Sequence, residues 1–129
     1  MIVIDASVLG PALLDDAEDG GRARETIAGE DLCAPHLIDC EVVSVIRRAR
    51  LRGDVGEDRA RQALADLAQI TLVRAAHTHL LERMWELRAA LTPCDAAYVA
   101  LAEALEATLL TADRRLARAP GPTCRFAVL

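Results

Sequence analysis

Four acidic residues stand where apolar or helical segments of the chain end or begin. Asp5 directly follows an apolar run, Glu41 and Asp95 lie near the starts of two helical patterns, and Asp113 comes two residues after a short β-type run. In an open parallel sheet such positions can face one crevice. Two carboxylates about 5 Å apart repel by roughly 3 kcal/mol at an effective dielectric of about 20. A cluster of this kind therefore needs a shared proton or a cation, and oxygen donors favour Mg²⁺ or Mn²⁺.

Each of these acids also has a structural interpretation when it is taken singly. Asp5 and Asp113 could cap helical segments, because aspartate is among the best acceptors for free helix N–H groups. Thr92 and Asp95 fit the N-cap and N3 positions of a capping box. Glu41 flanks an apolar helix stripe and could be a solvated side chain at a positive helix start. Only the shared placement of the four residues favours a cation site.

The elements that must position these acids alternate between two apolar patterns. Segments with helical spacing cover residues 36–53, 55–70, 77–91 and 95–105, and the charged stretch 15–21 predicts a turn. Between them lie short β-type runs at Ile2 to Ile4, Leu32 to Ala34, Ile70 to Val73, Thr108 to Thr111 and Phe126 to Leu129. This alternation predicts α/β architecture: a three-layer α/β/α sandwich around a mainly parallel sheet of about five strands.

Length and composition limit the function classes. The chain has 129 residues, 53% of them hydrophobic, which predicts a single domain over residues 1–129. No signal sequence or long apolar segment is evident, so we expect a cytoplasmic protein with no membrane contact. The net charge of -5 argues against binding nucleic acid by overall basicity, although local patches could do so. All fifteen basic residues are arginine.

Four motifs in this order resemble the PIN-domain ribonucleases, and in particular the VapC toxins of type II toxin-antitoxin pairs. They are IVIDASV, LIDCEVVSVIRR, CDAAYVALAEAL and LLTAD. The resemblance implies a metal-dependent endoribonuclease with the acidic site Asp5, Glu41, Asp95 and Asp113. Asp5 and Asp95 would be the main ligands of Mg²⁺ or Mn²⁺, supported by the other two acids. Hydrolysis by metal-activated water would leave a 5′-phosphate and a 3′-hydroxyl.

The resemblance also implies supporting residues and partners. Thr111 matches a hydroxyl residue of the family that can support the site, and Ser44 stands where asparagine is common. Cys94 replaces the aromatic residue or leucine that often precedes the second aspartate. The expected partners are an RNA substrate, a cognate VapB-like antitoxin and a second copy of the chain in a homodimer.

Two arginine groups follow acids of the predicted site. Arg47 and Arg48 lie on the helix that carries Glu41, and Arg114 and Arg115 follow Asp113. Any one of them could simply complement a helix dipole. We hypothesise that at least one group binds the RNA backbone.

Several other interpretations are weaker. His77 and His79 are two residues apart, so on a helix they point in different directions. A phosphoaspartyl protein would use a lysine, and the chain has none. The four cysteines form no zinc pattern and are predicted to be reduced apolar fillers, while Trp85 is predicted in core or dimer packing. A catalytically silent PIN-like binding domain and a nuclease acting on DNA stay open.

Overall fold

A five-stranded parallel sheet organises the protein. The computed structural model describes residues 1–129, and the strand order is β3-β2-β1-β4-β5. All four neighbouring pairs are parallel, so every strand ends at the same edge. The strands are β1 (Ile2–Ile4), β2 (Leu32–Pro35), β3 (Leu72–Ala75), β4 (Thr108–Thr111) and β5 (Arg125–Val128).

Six helices connect the strands. They are α1 (Ala6–Leu14), α2 (Glu18–Ile27), α3 (Ile38–Arg52), α4 (Glu57–Gln69), α5 (Leu81–Glu86) and α6 (Pro93–Ala104). The chain moves in one direction from β1 to β3 and then returns across the sheet to β4. Because such crossovers are right-handed, α1 to α4 and α5 to α6 cover opposite faces. Contacts among α1, α2, α3 and α4, and between α5 and α6, agree with this division.

The core lies between the central strands and the helices. Ile4 and Leu109 from neighbouring strands, Leu9 from α1 and Ile38 from α3 are fully buried. Helix α6 is buried along nearly its whole length from Ala96 to Ala102, which explains its continuous apolar sequence. The three middle strands, β2, β1 and β4, and helix α6 are therefore the most fully buried elements of the protein.

The α/β fold class and the five parallel strands are confirmed, but some predicted boundaries were wrong. Residues 18–21, predicted in a turn, begin α2. There a side chain at Gly20 would approach the Asp15 carbonyl oxygen to 1.9 Å, so glycine permits the close approach between the start of α2 and the end of α1. Strand β3 begins two residues later than predicted, where it pairs with Leu32 of β2. Residues 77–91 are broken into 3₁₀ turns on either side of α5.

Two side-chain predictions also need correction. All four cysteines are free, and Cys33 is buried as predicted, but Cys40 and Cys94 are exposed and fill no core space. The side chain of Trp85 is 66% exposed, with the Arg88 guanidinium 4.6 Å above its ring, so its predicted core packing was wrong. None of the helices combines the length and apolar character that crossing a bilayer requires.

Candidate active site

The site lies at the carboxyl ends of the neighbouring strands β1 and β4. Since β2 and β4 flank β1 on opposite sides, the chain leaves β1 and β4 in opposite directions. Ligand crevices of open α/β sheets form at such switch points. Asp5 follows β1 and Asp113 follows β4 by two residues.

Asp5 caps α1 and is buried at the same time. Its Oδ1 accepts hydrogen bonds from the Ser7 N–H at 3.0 Å and from the Ser7 hydroxyl at 2.5 Å. Only 6% of Asp5 is exposed, and it has no cationic partner in the chain. Burial raises the pKa of Asp5, against the opposing hydrogen bonds from Ser7 and Thr111. The cap interpretation is confirmed, but it leaves a charge whose desolvation no cation offsets.

Glu41 is held by a residue that sequence reasoning missed. The hydroxyl of Tyr98, from α6, donates to Glu41 Oε2 at 2.5 Å, and Tyr98 is almost fully buried. Burial raises the pKa of Glu41, the Tyr98 hydrogen bond lowers it, and the charges of Asp95 and Asp5 raise it again. The acids Asp5, which follows β1, and Asp95, on α6, are therefore close enough to influence Glu41 on α3. The sequence signal for Tyr98 was its place three residues after Asp95, on the turn of α6 that begins near the site.

The side chain of Asp95 takes no part in capping α6, although the sequence allowed that role. Thr92 caps α6 by accepting from the Asp95 N–H at 3.3 Å, with Pro93 in the first turn. The Asp95 side chain forms no salt bridge. Cys94 borders the same site, since burial and the charges of Glu41 and Asp95 raise the pKa of its thiol.

Asp113 is placed differently from the other three acids. Its Oδ1 accepts from the N–H groups of Arg115 at 2.8 Å and Leu116 at 3.3 Å, and the Arg115 guanidinium lies 3.4 Å from Oδ2. Burial acts to raise the pKa of Asp113, but these donors outweigh it and lower the pKa. Asp113 thus stands at the correct edge of the sheet with its carboxylate held by local donors.

A pair of hydroxyl groups joins the ends of β1 and β4. The Ser7 hydroxyl, besides donating to Asp5, accepts from the Ala112 N–H at 2.9 Å and lies 3.4 Å from Thr111 Oγ1. Thr111 is fully buried, and its Oγ1 accepts from the Asp113 N–H at 2.9 Å. Ser7 was not predicted as a site residue, although the spacing Asp-Ala-Ser is typical of a local side-chain turn. Together the two hydroxyls fix Asp5 relative to the loop that carries Asp113.

Comparison with known proteins is consistent with this arrangement. The sequence profile of the PIN domain family matches residues 2–122. The chain belongs to the PIN domain family. This PIN domain is 44% identical over 129 residues to ribonuclease VapC9 of Mycobacterium tuberculosis, covering 100% of the chain and 98% of that relative. It is 41% identical to ribonuclease VapC1 of the same organism, covering 96% and 94%. The predicted resemblance is therefore confirmed.

The remaining predicted residues of the PIN domain form no hydrogen bond or salt bridge with the three acids Asp5, Glu41 and Asp95, which we call the acid cluster. Ser44 is exposed and its hydroxyl donates to the Cys40 carbonyl oxygen at 2.9 Å, so its supporting role stays a prediction. Arg47 and Arg48 are exposed on α3, and Arg114 is exposed in the loop after β4. Arg115 is also exposed but is paired with Asp113.

The donor set of the PIN domain fits a hard divalent cation by its chemistry. Asp5 and Asp95 influence Glu41 without a cationic partner for any of the three, and all offer the oxygen donors that Mg²⁺ and Mn²⁺ prefer. No group of three or more histidine, cysteine, aspartate or glutamate side chains is already arranged around one point as metal ligands. Asp5 is hydrogen-bonded to Ser7, and Glu41 to Tyr98. Joint ligation of one cation by these acids therefore requires a rearrangement from the geometry of this structure.

Proposed function

We propose that this PIN domain, spanning residues 1–129, is a metal-dependent endoribonuclease and the toxin of a type II toxin-antitoxin pair. The observation that carries the proposal is the convergence of Asp5, Glu41 and Asp95, three carboxylates without cationic partners, at the switch point of the sheet. Relatives that match nearly the full chain are ribonucleases by name. RNA is accordingly the proposed substrate.

The proposed ligands of Mg²⁺ or Mn²⁺ are Asp5 and Asp95, with Glu41 and Asp113 in support. When bound, such a cation acidifies a water molecule and neutralises charge that develops on the scissile phosphate. Asp5 is oriented by Ser7, and Glu41 by the hydroxyl of Tyr98. Supporting hydrogen bonds of this kind fix the directions of carboxylates and tune their basicity.

The remaining parts of the proposal concern partners and location. We expect a VapB-like antitoxin, because an unpartnered acidic site attracts a basic side chain from an inhibitor. Homodimerisation and action in the cytoplasm follow from the resemblance to VapC toxins. A catalytically silent PIN-like domain is less well supported, since all four acids are present. The alternative that the protein cleaves DNA is tested by comparing RNA and DNA substrates of matching sequence.

The test is cleavage by purified protein free of antitoxin. Labelled RNA and DNA of matching sequence are incubated with Mg²⁺, with Mn²⁺ or with EDTA. Wild type, Asp5→Asn and Asp95→Asn are compared with Asp31→Asn, an exposed acid at the amino ends of the strands and thus at the opposite edge. We expect metal-dependent cleavage of RNA by wild type and Asp31→Asn alone. Cleavage that survives EDTA and both site substitutions would contradict the proposal.

A further inference from the structure

A groove lies beside the acid cluster, between α1, α2 and the loop after β4. Its volume is about 340 Å³, and its lining includes Ser7, Arg22, Ala112 and Arg114. Ser7 and Ala112 also belong to the hydrogen-bond network around Asp5. The Ser7 hydroxyl lies 2.5 Å from Asp5 Oδ1 and accepts from the Ala112 N–H at 2.9 Å. Ser7 therefore both lines the groove and contacts Asp5.

The two arginines in this groove have no acidic partner within the chain. Arg22 comes from α2 and Arg114 from the loop after β4, and both are exposed. One carboxylate side chain, Asp19, lines the same groove. By contrast, seven of the fifteen arginines are bound by carboxylates: Arg50, Arg52, Arg59, Arg61, Arg74, Arg83 and Arg115. The side chains that line the groove thus carry two positive charges and one negative charge, in a chain of net charge -5.

We infer that Arg22 and Arg114 form a phosphate-binding subsite for the RNA backbone next to the bond that is cut. The inference rests on the proposed function and adds Arg22, from an element far from the acids in sequence. A guanidinium group presents paired N–H donors that match two oxygens of one phosphate. A strand whose scissile phosphate lies at Asp5 and Asp95 would carry a neighbouring phosphate into this groove. The chemistry of the subsite is phosphate recognition, because no aromatic side chain lines it for base stacking.

Steady-state cleavage of an RNA that the wild type cuts provides the first test. Arg22→Gln and Arg114→Gln are compared with Arg125→Gln, an exposed arginine without an acidic partner at the start of β5, on the opposite edge of the sheet. We expect each groove substitution to raise KM about 5-fold with kcat little changed, since a backbone contact contributes to binding in the ground and transition states alike. The control should leave both constants unchanged.

Binding of labelled single-stranded RNA of random sequence, measured in EDTA over a range of salt concentrations, provides the second readout. Each groove substitution should reduce the slope of log affinity against log salt by about 0.7, as expected for the loss of one phosphate contact. KM and salt slope indistinguishable from those of Arg125→Gln would overturn the subsite, even with metal-dependent cleavage intact. The same would hold if the substitutions weakened only the binding of an acidic protein partner. Wild-type protein that neither binds nor cuts RNA would refute the subsite and the proposed function together.

Discussion

Acidic side chains lie near both ends of α6, and only one near its last turn has a cationic partner. Near its last turn, Glu103 accepts hydrogen bonds from Arg83 Nε at 2.7 Å and from the Thr123 N–H at 2.7 Å. Burial acts to raise the pKa of Glu103, but these donors outweigh it and lower the pKa. Near the first turn, Asp95 lies beside Asp5 and Glu41 with no cation, and the pKa values of the latter two are raised.

This difference in partners distinguishes Glu103, which stabilises the fold, from the acids of the candidate site, which can bind a cation. The side chain of Glu103 is 13% exposed and Asp5 is 6% exposed, so burial alone does not distinguish them. What distinguishes them is the donor set, since Arg83 supplies a positive charge to Glu103 whereas Asp5 receives only neutral donors from Ser7 and Thr111. A carboxylate left in this state weakens the fold and gains most from an external cation.

The largest expected effect is on catalysis by the unpaired acids. Asp5→Asn and Asp95→Asn should each reduce RNA cleavage about 1,000-fold or more, because a ligand charge is lost where phosphate charge must be neutralised. In EDTA neither substitution should lower the urea midpoint of unfolding, since each removes repulsion and asparagine can still cap a helix. A clear loss of stability in Asp5→Asn would mean that the charged Asp5 carboxylate stabilises the fold, which contradicts the expected repulsion.

The next largest effect is on stability at the other end of α6. Glu103→Gln should reduce the free energy of unfolding by about 1 to 3 kcal/mol, because Arg83 and the Thr123 N–H lose a charged acceptor in a largely buried place. Cleavage per folded molecule should be unchanged. Glu86→Gln is the matched control, since Glu86 also pairs with Arg83 but is exposed. Equal stability losses in urea for the two variants would remove the contrast between the ends of α6.

A smaller catalytic effect is expected from the residue that joins α6 to α3. Tyr98→Phe keeps the ring and removes the hydroxyl that donates to Glu41. Because this hydrogen bond lowers the pKa of Glu41, its loss should raise that pKa and shift the acid limb of the pH-rate profile to higher pH. We expect cleavage at neutral pH to fall about 10-fold. An unchanged pH-rate profile would show that Tyr98 only packs.

The smallest effect is the pH dependence of stability, and its sign differs between the two regions. A lowered pKa means that Glu103 stabilises the fold above the ordinary carboxyl value of about 4, and this contribution is lost as the pH falls through its lowered value. The raised pKa of Asp5 has the reverse sign: its ionised form weakens the fold above that pKa, and acidification relieves the penalty.

Urea unfolding in EDTA as a function of pH checks both signs. The deficit of Glu103→Gln relative to wild type should shrink below about pH 4. The advantage of Asp5→Asn over wild type should also shrink as the pH falls, but at higher pH than the first change. The stability of each variant minus that of wild type should therefore rise for Glu103→Gln and fall for Asp5→Asn as the pH is lowered. If both quantities change in the same direction, Glu103 and Asp5 do not differ in the way proposed.

Much of the fold was predictable because its signals are local. Apolar runs as short as Ile2 to Ile4 predicted strands of a buried parallel sheet, and Thr92 with Asp95 predicted the start of α6. Helix α2 was missed since only Gly20 and Ala23 are buried, which leaves almost no apolar periodicity to read. The exposure of Trp85 was not predictable either, because the sequence of a six-residue helix does not show which of its faces packs against the core.

The sequence by itself determined which acids stand at strand ends and helix starts, because caps and strand boundaries depend on neighbouring residues. Only the tertiary structure decided what each acid does there. It set Tyr98 against Glu41, held Asp113 with its own loop, and left Asp95 without a partner. It also brought Arg22 from α2 to the groove beside Ser7. The physical reason is that charge pairing and desolvation depend on distances between elements, which strand order and helix packing create and no local pattern encodes.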